Sequence, residues 1–510
     1  MKDFFKDLKR RKVWQVMIVY AAVAWGLVQV ADTVLPMFGA PDWVLKSFTV
    51  LLGLGFPVAV VFAWVYDLTP GGIKATAPLR EIEPQKTQSD TSSYLDEASS
   101  VDQTSGQANE SGSKSWIAVM PFKVPADDPE AAGLGDGLIE DLCAGLARFP
   151  YLAVVARESL GRKVGETRDV REFSKALGAR YVIEGSVRHL GETVRVSVRL
   201  IEASAGVSLW AENYTRDLRA TTLFEAEDEI TNRIVATLAD SFGVLVASMT
   251  RLTEEKPESE LTPNDWVLRT FDYLRTYLPH RHLEVRDGLE KAVEQYPRSA
   301  ELWACLAHLY LNEYNFGFNQ RPDPLDRALK AAAQAFELDN ASQLASQQLA
   351  QVHFFRRDLV RFRAAAERAI ALNSLDTNTL GILGLLFVHA RDFERGTELT
   401  QRAMELNENH AHWCHFSWIW YHFARGDYEE ALERVSMVNI SGNFWIPLAA
   451  AAIYVQLGQE QHAREAVAEL LALDPDFGSH ARFDIEAWHY GSGLADILLD
   501  ALAKAGLEID

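Results

Sequence analysis

The sequence predicts a multidomain chain with two transmembrane helices, an α/β domain and an all-α superhelix of stacked helix pairs. Three observations carry that reading. Two apolar stretches, 13–35 and 47–66, fall within the first 66 of 510 residues. Between 115 and 245, short apolar runs alternate with amphipathic ones. From Asn264 onward the pattern is helical and repeats every 34 residues, with Leu338, Leu372 and Leu406 marking one phase and Ala335, Ala369 and Ala403 another.

Composition narrows the function. A net charge of −21 argues against a nucleic-acid partner, because holding a phosphate backbone requires clustered Lys and Arg. The three cysteines, Cys143, Cys305 and Cys414, are too far apart for a disulfide framework or a metal knuckle, and fit a reducing compartment.

The N-terminal residues 1–12 hold six Lys or Arg against two Asp. Each apolar stretch is long enough to span a bilayer, and Trp14, Tyr20 and Trp25 are suited to its interfaces. Pro36, Gly39 and Pro41 make a tight turn between them, so 13–66 reads as a two-helix hairpin in contact with membrane lipid. A cleaved signal peptide fits less well, since the first stretch is long and a second follows. Positive charge before the first span and after the second, at Lys74 and Arg80, places both ends in the cytoplasm by the positive-inside rule. The expected location is the bacterial inner membrane, two-pass, with cytoplasmic soluble domains.

Residues 67–114 are rich in Ser, Thr, Gln, Asp and Glu and read as a flexible linker. Next, WIAVMPF and YLAVVA are strand candidates, while GLIEDLCAGLARF and VREFSKALG are helix candidates. The stretch 181–218 alternates with period two and breaks at Gly191 and Gly206, predicting a three-strand meander. LFEAEDEITNRIVATLADSF closes the domain as a helix.

These blocks, in the order MPF, GLGDGLIEDLCAGLARFPYLAVVAR and ALGARYVIEGSVRHLGETVRVSVRLIEASAGVSLWAENYTRDL, resemble the TolB-like amino-terminal domain of bacterial membrane and envelope proteins. The resemblance covers 115–245 and implies a binding or assembly module. Proteins of this layout often carry a nucleotide cyclase domain or a winged-helix DNA reader, and the twelve residues before the first span leave room for neither, so no cyclase domain is expected in the chain.

The helical part resembles tetratricopeptide (TPR) repeats. Trp303, Leu306, Ala307 and Tyr310 take the Trp, Leu, small and aromatic positions of a first helix, and Leu383, Gly384 and Phe387 take three of them. About six repeats fit 264–475, one with an insertion, NEYNFGFNQRPDP, expected to protrude. Residues 476–510 are expected to cap the last repeat.

No catalytic constellation stands out, so the chain reads as a non-enzyme without a cofactor. GLGDGLIED looks like a phosphate loop but has Leu138 where a dinucleotide fingerprint needs glycine, and Asp136, Glu140 and Asp141 would repel an anion. It reads as a loop entering a capped helix. In HAHWCH, helical spacing pairs His410 with Cys414 and His412 with His415 on different faces, so no metal site is assigned. The expected partner surface is the concave face of the repeats, with His308, Asn312, Gln347, Gln351, Asn378, His389, Trp418 and Trp420 as candidates. Their mostly uncharged character suits a peptide or protein surface better than a carboxylate clamp.

The expected function is an inner-membrane scaffold or signalling-linked protein that recruits partner proteins, with room for a homo-oligomer. The alternative is a sensor whose TolB-like module binds a small ligand or envelope component and relays it through the repeats. An enzyme of unrecognised type is the remaining alternative.

Overall fold

The structure, a computed structural model, describes residues 66–69, 72–75, 115–155, 169–489 and 493–509. Apart from Tyr66, both expected membrane spans lie outside them. In the stretch expected as linker, Tyr66–Thr69 (β1) and Gly72–Ala75 (β2) pair as an antiparallel hairpin. Among the described residues, Leu223–Glu254 is long and apolar enough to cross a membrane, yet 78% of its apolar window is buried inside the fold, as in core helices.

Five strands follow: Ser115–Val119 (β3), Leu152–Val154 (β4), Tyr181–Leu190 (β5), Thr193–Glu202 (β6) and Val207–Asp217 (β7). Their order in the sheet is β4-β3-β5-β6-β7, with β3 parallel to both neighbours and the last three strands an antiparallel meander. The turns of the meander rest on Gly191 (φ 62°) and Gly206 (φ 67°), where a side chain would be strained. Along β6 the pleat sends Val194, Val196, Val198 and Leu200 to one buried face.

Four helices cover this sheet and its end: Pro129–Leu146 (α1), Val170–Leu177 (α2), Leu223–Ala239 (α3) and Val244–Glu254 (α4). The core formed by α1, α3 and the sheet contains Leu138, Leu142, Ile230, Ile234, Ile183 and Val196. On the other face, Phe173 of α2 packs with Ala118, Met120 and Val182.

The glycine-rich stretch departs from expectation. It is not a loop: Asp128 caps α1 by accepting from Ala131 N at 2.9 Å, Pro129 opens the helix, and Gly133, Gly135 and Gly137 all lie inside it. A Cβ on Gly137 would stand 1.8 Å from Glu227 Oε1, and one on Gly145 would stand 2.8 Å from Val235 Cγ2. Both neighbours belong to α3, so these two glycines allow two helices to approach closely.

The rest is helical and resembles a TPR superhelix. Its helices are Pro263–Thr276 (α5), Pro279–Gln295 (α6), Ala300–Asn315 (α7), Pro324–Leu338 (α8), Gln343–Phe355 (α9), Leu359–Leu372 (α10), Thr377–His389 (α11) and Phe393–Leu406 (α12). His415–Arg425 (α13), Tyr428–Ser436 (α14), Trp445–Gln456 (α15), Glu460–Leu473 (α16), Phe477–His489 (α17) and Leu494–Lys504 (α18) complete it. The starts of α9 and α11 are 34 positions apart, as are those of α10 and α12.

Small residues set the spacing within pairs. A Cβ on Gly384 of α11 would lie 2.4 Å from Thr400 Oγ1 and 2.9 Å from the Gly396 carbonyl oxygen of α12. Because the second contact is backbone, it cannot rotate away. Gly384→Ala is expected to cost about 1–3 kcal/mol through overpacking, read as a lower urea midpoint of the full chain. An unchanged midpoint would show that α11 and α12 do not pack this closely.

Two features differ from the expected array. The insertion does not protrude: Phe316 and Phe318 stack at 5.5 Å between ring centres, and Asn319 O accepts from Arg286 Nη1 at 2.7 Å. Buried Arg286 also pairs with buried Glu313 at 3.0 Å, and Glu313 accepts from Arg321 N at 2.9 Å, which ties the loop down. The tail, expected as a single cap, is two helices. α18 packs on α15, while α17 turns inward and places Trp488 against Phe355, at 5.0 Å between ring centres, and His489 against Trp420, at 4.6 Å.

The α/β part and the first solenoid helices share one core. A single cluster of buried side chains runs from Ile117 and Leu142 through Met249, Trp266, Phe271 and Leu289 to Leu306 and Leu375.

Candidate functional site

Where the end of α3 meets the inner helices of the solenoid, a cleft remains. It spans about 690 Å³ out to its open mouth, of which about 50 Å³ is free interior space. Pro150, Tyr151 and Ser241 form one side, and Phe271, Leu274, Tyr277, His308, Gln343, Leu344, Gln347, Gln348, Gln351, Asp376, Asn378, Ile382 and Trp413 are among the residues completing it.

Two carboxylates fix the seam. Asp240, just past α3, accepts from Thr377 Oγ1 at 2.7 Å and Asn378 N at 2.8 Å through Oδ2, and from Phe242 N at 2.7 Å through Oδ1. Asp376 caps α11 by accepting from Thr379 N at 3.1 Å. Both therefore stand at the positive end of α11. Desolvation, and then the Asp240 charge, push the Asp376 carboxyl up to about 7, and desolvation raises Asp240 as well. Arg275 donates to Ser241 O and Gly243 O, both at 3.3 Å, and Tyr151 OH donates to Ala239 O.

A group whose folded pKa is raised contributes stability that is full below its unfolded pKa, 3.8 for Asp376, and is lost as pH rises through about 7. Asp376→Asn keeps the cap oxygen and removes the charge. The variant is therefore expected to be more stable than the native chain at pH 8, with the difference shrinking toward pH 4, as measured by thermal unfolding across that range. A difference independent of pH would rule out a raised Asp376 carboxyl at the seam.

The eight sequence candidates separate into groups. Four of them, His308, Gln347, Gln351 and Asn378, line the cleft. His308 Nδ1 lies 3.2 Å from Gln348 Oε1, which also accepts from Gln351 Nε2 at 3.3 Å, and Gln347 Oε1 accepts from Thr379 Oγ1 at 3.1 Å. Burial pushes the His308 imidazole down to about 4, so it is neutral. Asn312 is taken up elsewhere, accepting from Tyr273 OH at 2.8 Å.

His389 and Trp420 lie beneath α17. His389 Nδ1 is 3.2 Å from His489 Nδ1, and burial pushes the His389 ring down to about 3. These two are buried, not offered to a partner, because α17 fills the inner face at that level. Trp418 points to a different side of α13, with the Arg434 guanidinium 5.3 Å above its ring.

In HAHWCH, His410 Nδ1 is 3.1 Å from Asn407 O and His412 Nδ1 is 3.1 Å from Met437 O. Cys414 is buried, with its thiol pushed above its usual range by desolvation. Among the described residues no group of three His, Cys, Asp or Glu could hold a metal ion.

Sequence reasoning missed Tyr151, Asp240, Ser241, Gln348 and Asp376. Asp240 and Asp376 are 136 positions apart and carry no shared motif. A helix-cap pattern at Asp376 is visible, but its companion is not.

Residues 113–252 match the family described as the HilA/YgeH-like transcriptional regulator, second domain. That span overlaps the segment resembling the TolB-like domain. A Rhizobium meliloti (strain 1021) protein named as a candidate adenylate cyclase is 33% identical over 233 residues, 45% of this chain, and the chain spans only 38% of that relative's length. Among solved structures, YrrB, described as a TPR protein with an unusual peptide-binding site, is similar at 23% identity over 37% of this chain and 93% of its own, with a TM-score of 0.26. The Cut9-Hcn1 assembly of the APC/C is similar at 16% identity over 57% of this chain and 50% of its own, with a TM-score of 0.36. The repeat architecture itself rests on this chain's own 34-residue helix spacing.

Proposed function

We propose that this protein is a non-enzymatic scaffold that recruits partner proteins through its helical solenoid. It is anchored in the bacterial inner membrane by residues 13–66, has a TolB-like module in the α/β segment, and keeps its soluble parts in the cytoplasm. The observation that supports recruitment most directly is α17. A 13-residue helix lies across the inner face of the solenoid and is held by Trp488 among Phe316, Phe355 and Trp445. A face of aromatic and uncharged polar groups that seats one helix has the chemistry to hold another protein's helix or peptide. The anchor and its side of the membrane rest on the apolar stretches and the distribution of positive charge.

The test is photocrosslinking in cells from single positions of the full chain. Positions Asn378 and Tyr421 on the solenoid are expected to capture a discrete partner, and Val207 on the sheet edge is not. Capture from Val207 alone would overturn the solenoid reading. A reporter fused after Asp510 that is active only in the periplasm would overturn the cytoplasmic assignment.

The sensor reading remains as a second proposal, favoured by one observation. The cleft lies at the seam between the α/β part and the solenoid, where a ligand would touch both.

A further inference from the structure

We propose that the seam cleft is a binding site for a small primary amine carrying an apolar or aromatic body. The inference is independent of the scaffold reading. It starts from two polar atoms that the fold buries and leaves unmatched. His308 and Ser241 line the cleft at 7% and 4% exposure, and His308 Nε2 and Ser241 Oγ have no hydrogen-bond partner. An unmatched buried polar atom costs about 1–3 kcal/mol, so a ligand that satisfies it gains correspondingly.

The chemistry of the unmatched atoms selects the ligand. His308 is neutral, and its Nδ1 faces the Gln348 Oε1 acceptor, so Nδ1 carries the proton and Nε2 presents a lone pair. Nε2 therefore requires a donor. The acidic residues lining the cleft are Glu301 and Asp376, the latter with its carboxyl pushed up to about 7, with Asp240 behind them, and neither Lys nor Arg is among the lining residues. An anion such as a nucleotide would meet these carboxyl groups, while the Arg275 guanidinium is turned away to the Ser241 and Gly243 carbonyl oxygens. A protonated amine has three donors and the opposite charge.

The rest of the wall is apolar. Val267, Phe271, Leu274, Leu344, Ile382 and Trp413 enclose the space beside the polar groups, which suits a hydrocarbon or ring attached to the amine. The enclosed volume limits the ligand to few atoms beyond the ammonium, with the remainder reaching toward the mouth.

The test is calorimetric titration of the full chain with n-butyl-, cyclohexyl- and 2-phenylethylammonium chloride at constant ionic strength. The neutral 2-phenylethanol and the anionic phenylacetate serve as controls. At least one amine is expected to bind saturably at one site, more than tenfold tighter than 2-phenylethanol, with phenylacetate not binding. Asp376→Asn is expected to weaken the amine tenfold or more, whereas Glu429→Gln on the exposed face of α14 leaves it unchanged and excludes attraction by net charge alone. Ile382→Phe, which fills the cleft, is expected to abolish binding while circular dichroism stays native. The proposal is overturned if no amine saturates, if phenylacetate binds equally, or if binding survives both cleft substitutions in folded protein.

Discussion

Trp488→Ala is expected to lower the stability of the full chain by about 3–5 kcal/mol, the range for emptying a buried aromatic site. The ring is 8% exposed and lies edge-on to Phe355 at 5.0 Å, with His389 at 5.5 Å, Phe316 at 6.1 Å and Trp445 at 6.2 Å between ring centres. Those residues belong to α9, α11, the insertion after α7, and α15, so one side chain ties together four parts of the array. Trp488→Phe keeps most of the packing and is expected to recover more than half of the loss. Guanidinium denaturation followed by far-UV circular dichroism measures both variants. A loss under about 1 kcal/mol for the alanine variant would show that α17 is not seated in the inner face.

Glu313→Ala should be comparably damaging, for an electrostatic reason. Its carboxylate is fully buried, pairs with Arg286 and Arg327, and accepts from Arg321 N. Removing it takes away the one fully buried carboxylate beside Arg286, which keeps the half-exposed Asp287 and the Asn319 carbonyl oxygen, and deleting one member of such a buried network typically costs about 3–5 kcal/mol. The exposed pair Arg395–Glu367 provides the contrast: its Glu367→Ala variant is expected to stay within about 1 kcal/mol of the native chain. Hydrogen exchange locates the effect. Amides of 316–323 are expected to lose protection in Glu313→Ala and to keep it in Glu367→Ala. Equal losses in the two variants would refute the network as the device that holds the loop.

The parts of this fold legible in the sequence are those whose physics is local. Gly191 and Gly206 mark the meander because positive φ is a one-residue requirement, and Gly384 marks a repeat because close helix approach recurs every 34 residues. The glycines of α1 read as a loop for a related reason. A glycine that frees a turn and one that lets a helix approach Glu227 or Val235 look alike in one dimension. The polar residues of the inner helices were placed on the correct elements. Whether their surroundings are solvent or another part of the chain depends on α17 and on the α3 terminus, both remote in sequence. His389 and His489 meet across 100 positions, and no spacing rule reaches that far.

The continuous core from Ile117 to Leu375 has a consequence for communication. Two bodies joined by a hinge would report an event at their boundary by swinging. Two bodies sharing buried side chains have no such freedom, and an occupant of their boundary adds its binding free energy to the folded state of both at once. Any message passing from the α/β part into the helical array would then be read as a change in local opening rates, in the amide protection of its strands and helices.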